Sequence, residues 1–159
     1  MNLFNDSGAE FSDCRKYRFA LWRIWEKSKP LVMFIGLNPS TANAQKNDNT
    51  ITKVNKIASN NLYGGVYMMN LFPYITSKPS ELDNSSQLPI VYNDLIVKEI
   101  SKKCKDIVFA WGAFKQAKEK AKIYATIFPD ALCLRITKDG SPWHPLYCRD
   151  NTRLIPYRT

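Results

Sequence analysis

A chain of 159 residues, 45% hydrophobic and 23% charged, is sized for one domain (1–159) burying roughly two thirds of its unfolded surface, and it is too apolar to be disordered. No apolar run approaches the ~20 residues of a membrane span, so no membrane partner is expected. The formal charge of +9 points to a polyanionic partner, set against the plainer reading of a lysine-rich wet surface such as KQAKEKAK (115–122).

From Asp13 to Ser28 the apolar residues Tyr17, Leu21, Ile24 and Trp25 recur at helical spacing, which predicts an opening helix stopped by Pro30. LVMFIGL (31–37) is a continuous apolar run of the kind found in a strand buried on both faces. Asp48 or Asn49 then caps a second helix carrying Ile51, Val54, Ile57, Ala58 and Leu62, which Gly64 and Gly65 end. VYMMNL (66–71) reads as the second strand. The segment 72–89, opening with Phe72 and rich in Pro and Ser, is longer than an ordinary connection and is the candidate substrate lid. A third helix at about 90–104 leads into DIVFAW (106–111); a fourth, with Phe114, Ala117, Ala121, Tyr124 and Phe128, leads into ALCLRI (131–136). Helices alternating with short apolar strands predict a three-layer αβα sandwich around a four-stranded parallel sheet.

In such a sheet the ligand site lies beyond the carboxyl ends of the strands. Strand one ends in Gly36, Leu37, Asn38, Pro39 and Ser40; strand two in Asn70; strand three in Trp111 and Gly112; strand four runs into Lys138 and on to His144, the only histidine. A carboxamide beside a proline can position a water, a second can read a base edge, and a histidine can donate to a developing anion. These are the needs of N-glycosidic hydrolysis. Each residue also has a plainer reading: Asn38 as a turn, Asn70 as a partner for loop backbone, His144 as a lone structural histidine, Asp48 as a helix cap instead of a water- or metal-orienting carboxylate, Trp111 as strand-end packing. The run CRKYRFALWRIW (14–25) could grip nucleic acid, or form an amphipathic helix with Tyr17 and Trp25 inward and Arg15 and Arg23 outward.

The N-terminal stretch MNLFNDSGAEFSD has no export-signal pattern, so a cytoplasmic location is expected. Cysteines 14, 104, 133 and 148 form no Cys-x-x-Cys pair; reduced, packed thiols are expected, with no metal site and no cofactor.

The ordered set GLNPS, NLF, FAWGAFKQAK and HPL resembles the uracil-DNA glycosylase superfamily. More closely, the chain from Tyr17-Arg18 to Tyr147, with LNPSTAN, NDNTI, YGG, NLF, AWG and GSPWHPLY, resembles a bacterial and phage domain family of unknown function, DUF1643. The superfamily resemblance implies its fold, DNA or a nucleotide as partner, and three roles: Asn38 positions water, Asn70 reads the base and His144 donates to the oxyanion. A base in a duplex would be extruded into the pocket. Catalysis would fall to Asn38, His144 and Asp48, and substrate contacts to Gly36, Leu37, Pro39, Ser40, Asn70, Phe72, Trp111, Gly112 and Lys138. The chain departs from the superfamily in having Ser40 where a glycine is usual, no iron-sulfur cysteines, and a short HPLYCRD loop in which Leu146 and Tyr147 could act as the wedge. Two classes of function are expected: a glycosylase-like hydrolase, or a non-catalytic protein binding a nucleotide or nucleic acid.

Overall fold

The run at 31–37 folds into a strand buried on both faces. In the computed structural model, which describes residues 7–84 and 87–158, β3 (Leu31–Gly36) pairs in parallel with β4 (Gly65–Asn70) on one side and β5 (Asp106–Phe109) on the other. Its side chains divide by the two-residue period of a strand: Val32 and Phe34 enter one core, Met33 and Ile35 the other. The first core is covered by α1 (Asn49–Asn60) through Ile51, Val54, Ile57 and Ala58. The second is covered by α2 (Gln87–Ser101) and α3 (Lys118–Ile127), which contribute Val97 and Tyr124.

Asp48 caps α1, its Oδ1 accepting from the Ile51 N–H at 2.9 Å. A cap of this kind stabilises by ~1 kcal/mol, whereas each fully buried aliphatic side chain contributes ~1.5–3 kcal/mol. The apolar stripe therefore holds α1 in place, and the cap sets where it starts.

The sheet is wider than the sequence suggests. The four expected strands form and run parallel, the last reduced to β6 (Leu132–Cys133) beside β5. They are the middle of a mixed seven-stranded sheet, ordered β1-β2-β4-β3-β5-β6-β7, so the expected four-stranded parallel sheet is corrected. β1 (Ser7–Phe11) and β2 (Arg18–Ile24) make an antiparallel hairpin against β4, and β7 (Ile155–Pro156) lies antiparallel to β6.

β2 replaces the helix expected over 13–28. Its residues alternate between the cores, Leu21 on the α1 side and Ala20 and Trp22 on the other, a strand period that the helical spacing of Tyr17, Leu21 and Ile24 masks. Trp25, expected inward, is 41% exposed, while Arg23, expected outward, is 7% exposed. β2 also carries a bulge: Glu10 pairs with Ala20 but Phe11 with Arg18, so Phe19 is the extra residue. This shift brings Arg18 to the face of Leu21 and Arg23, above the loop after β3.

The chain leaves β3 through α1 toward β4, and leaves β5 through α3 toward β6. The connections diverge from neighbouring strands and cover opposite faces. A crevice opens between them at the carboxyl ends of β3 and β5, where such sheets place ligands. The expected lid is anchored at its start, with Arg18 N–H donating to Pro73 O at 2.9 Å and Ile75 N–H to Lys16 O at 2.9 Å, and it contains a short 3-10 helix at Pro79–Asn84. Residues 85–86 of that segment, and the first six residues of the N-terminal stretch read for an export signal, lie outside the described residues. Among the described residues no helix is long and apolar enough to cross a membrane.

Candidate active site

The crevice is a cleft of about 250 Å³. β3 and the turn after it supply Gly36, Leu37, Asn38, Pro39 and Ser40; β4 supplies Asn70; the start of α1 supplies Asp48; and the loop after β6 supplies His144. Eight of the expected site residues thus share one cavity.

Asn38 is strapped down by its own amide. Its Nδ2 donates to the carbonyls of Thr76 at 2.8 Å, Pro39 at 3.0 Å and Tyr74 at 3.3 Å. The NH2 is committed to joining the β3 turn to the start of the 72–89 segment. The Oδ1 accepts from no donor among the described residues, which leaves an acceptor at the cleft.

Asn70 is 3% exposed, and its side-chain carboxamide has no partner among the described residues. Its backbone carbonyl is taken by Asn93 Nδ2 at 2.7 Å, so the end of β4 is fixed while the side chain keeps both donor and acceptor. That combination can read the edge of a flat polar ring.

His144 precedes a short 3-10 helix (Pro145–Tyr147), and its Nδ1 accepts from the Leu146 N–H at 3.1 Å. In the neutral ring this puts the proton on Nε2. Burial holds the imidazole below its ordinary pKa, and the Asp48 carboxylate opposes that shift only in part. His144 is therefore a neutral N–H donor near neutral pH. The loop carrying it is tied to the end of β5 by the Gly112 N–H, which donates to Pro142 O at 3.0 Å. Gly112 has φ +77, the left-handed region, and a Cβ there would press on the Phe114 ring at 3.3 Å.

The remaining expected residues lie elsewhere. Trp111 is 1% exposed and packs in the second core, its ring 4.4 Å from that of Phe109. Phe72 packs against the same core, with the Lys120 ammonium 6.0 Å from its ring centre. Gly112 and Lys138 line a separate basin of about 1010 Å³. Phe114 and His144 border both cavities and form the wall between them; Leu146 and Tyr147 stand exposed at the basin, Tyr147 at 79%.

Arg18, Thr50, Met68, Thr76, Ser77 and Phe114 also line the cleft; Thr76 and Ser77 belong to the segment expected as a substrate lid, and Arg18 to the run 14–25 that could grip nucleic acid. Arg18 was hidden by the helical reading of its segment. Phe114, two residues beyond the strand-ending Gly112, is where a strand-end reading could have been extended.

Arg18 is buried, donates from Nη1 to Ala42 O at 3.0 Å, and is pushed down to about 10 by desolvation. Arg23 beside it donates to the carbonyls of Asn43, Lys46, Trp22 and Gly8 and to Asn47 Oδ1. Asp48 is the carboxylate whose field reaches both guanidiniums and His144. Among the described residues no group of three or more His, Cys, Asp or Glu side chains could hold a metal, and the four cysteines are free thiols.

The architecture is a mixed α/β fold with a polar cleft at the carboxyl ends of its parallel strands. The family described as "Protein of unknown function (DUF1643)" matches residues 18–146, and the chain belongs to that family. No curated protein matches it. Among solved structures, Est1E from Butyrivibrio proteoclasticus is similar over 77% of this chain at 16% identity with a TM-score of 0.43. The match covers 48% of that protein, so the chain spans about half its length. A likeness this weak carries nothing about fold or activity.

Proposed function

We propose that the cleft hydrolyses the N-glycosidic bond of a base or modified base, carried in nucleic acid or in a nucleotide. The observation that carries this reading is the Asn38 carboxamide, whose NH2 is held by three loop carbonyls and whose oxygen is left at the cleft shared with Asn70 and His144. The order of the GLNPS, NLF, AWG and HPL motifs, which resembles the uracil-DNA glycosylase superfamily, supports it.

Asn38 Oδ1 orients a water toward the sugar carbon. The water oxygen bonds to that carbon, the C–N bond breaks with its electron pair passing to the base, and the water's proton is taken up by the departing base. Asn70 holds the base edge, and His144 Nε2–H donates to the base oxygen that gathers charge. One donor of this kind is worth ~3 kcal/mol, a factor of roughly 100–1,000 in rate. About 250 Å³ is less than the ~300–1,000 Å³ of sites that enclose a drug-sized ligand, which suits a single ring system with the rest of the substrate outside.

A non-catalytic role in binding a nucleotide or nucleic acid is the second reading, favoured by the fact that bridging three carbonyls is already a sufficient structural task for Asn38. The deciding experiment is mass-spectrometric detection of free base released from pools of modified DNA, RNA and nucleotides by the wild type, Asn38→Ala and His144→Gln. Release by the wild type that drops at least 100-fold in His144→Gln supports hydrolysis. Absence of release by folded protein from every pool moves the reading to binding.

A further inference from the structure

Arg18 is 3% exposed and lines the cleft, yet among the described residues its Nε is buried without a partner and its guanidinium donates only to a neutral carbonyl, Ala42 O. No carboxylate lies within 4.0 Å of its guanidinium among the described residues; Asp48 acts on it only at longer range. Arg23 directs its donors to neutral oxygens and likewise has no carboxylate at ion-pair distance among those residues. Two sequestered cations thus face one carboxylate, and a buried charge is costly unless an opposite charge meets it.

The start of α1, a helix of 12 residues whose cap Asp48 acts on Arg18, also lines the cleft, through Thr50 and Ile51. The Ile51 N–H is taken by Asp48. The N–H groups of Asn49 and Thr50 have no partner among the described residues, as helix geometry requires of a first turn, and they carry the positive end of the helix dipole. Ser40 and Thr50, each bearing a hydroxyl, line the same cleft.

We infer that the Arg18 end of the cleft is a subsite for the oxyanion of a ligand phosphate, met by the Arg18 guanidinium, the first-turn amides of α1 and the hydroxyls of Ser40 and Thr50. The inference rests on the proposed reading only in taking this cleft as the ligand site. It makes the substrate a phosphate-bearing nucleotide or strand, not a free nucleoside. Asp48 works against the anion, because its carboxylate caps the same helix. Asparagine caps as well as aspartate, so removing that charge leaves the helix start intact and tightens the subsite.

The test follows the amide resonances of Asn49 and Thr50 while the protein is titrated with orthophosphate, a nucleoside 5′-monophosphate, and a single-stranded oligonucleotide without terminal phosphates. The expected result is saturable shifts at those amides, weakened at least tenfold in Arg18→Gln, largely retained in Arg18→Lys, and tightened severalfold in Asp48→Asn. Saturation by the monophosphate alone names a free nucleotide as the source, and saturation by the oligonucleotide names a backbone phosphodiester. Should Arg18→Gln fail to fold, the wild type and Asp48→Asn decide: no saturable shift at Asn49 and Thr50 with any probe, or no tightening in Asp48→Asn, overturns the subsite. Failure of base release with phosphate binding intact removes the hydrolytic reading and leaves the subsite. Base release without phosphate binding does the reverse.

Discussion

The carboxamide of Asn70 lies across Gly36 so closely that a Cβ on Gly36 would stand 2.9 Å from Asn70 Oδ1 and 2.9 Å from Met68 Cε. Two adjacent parallel strands thus meet side chain to backbone at the floor of the cleft. Gly36→Ala has no backbone strain to overcome, but it displaces both side chains, at a cost of ~1–3 kcal/mol for overpacking a filled site. The expected outcome is a folded protein with a modestly lowered melting temperature and at least tenfold weaker ligand binding. Binding within twofold of the wild type would show that Asn70 does not read the ligand.

Asn38 has a structural task that an activity assay alone would misread. Asn38→Ala leaves the carbonyls of Pro39, Tyr74 and Thr76 without their shared donor and should cost ~1–3 kcal/mol. Asn38→Asp should cost more at neutral pH, because a carboxylate presents oxygen where three carbonyls need a donor. Urea denaturation of both variants gives the order, and an aspartate variant as stable as the wild type would remove the strap.

His144 is the one histidine of the chain, so a stability slope near its titration belongs to it. Burial keeps the folded ring's pKa below 6.5, its ordinary value, so the unfolded chain takes the proton more readily than the folded one. Its contribution is complete above pH 6.5 and is lost as pH falls from there through the depressed folded value. Chemical denaturation between pH 7.5 and about 5 should show stability declining with acid, and His144→Gln should flatten that part of the profile. An unchanged slope in the variant would mean that the ring titrates alike in both states.

Trp111 separates packing from chemistry. Its ring is sealed between Phe109 and Tyr157, so Trp111→Ala should cost ~3–5 kcal/mol while the remaining folded protein binds ligand as before. Comparing calorimetric stability with ligand affinity tests this, and lost affinity at unchanged stability would return Trp111 to the site.

The parallel strands were legible because a strand buried on both faces must be continuously apolar, as LVMFIGL is, and because helices of the right spacing separate them. The outer strands were not. RFALWRI has an arginine near each end, and its apolar residues satisfy both a helical period and a strand period, so one sequence could not choose between them. Its pairing with β4 is a tertiary fact. Asn38, Asn70 and His144 could be placed at one cleft because they sit at strand ends or in the loop beyond, whereas Trp111 also ends a strand but turns inward. Arg18 escaped because its place depends on the bulge at Phe19 and on loop carbonyls far along the chain, neither of which a charge pattern records.

The hairpin position of β2 also shapes how the chain is made. The β1–β2 pair is complete once residue 24 has emerged, but β4, which covers the other edge of β2, begins only at Gly65. Until β4 has been made, the edge of β2 that it covers lacks its native partner, and an unpaired strand edge is the kind that recruits neighbouring chains. Charged side chains blunt such an edge, and β2 with the turn before it carries Arg15, Lys16, Arg18 and Arg23.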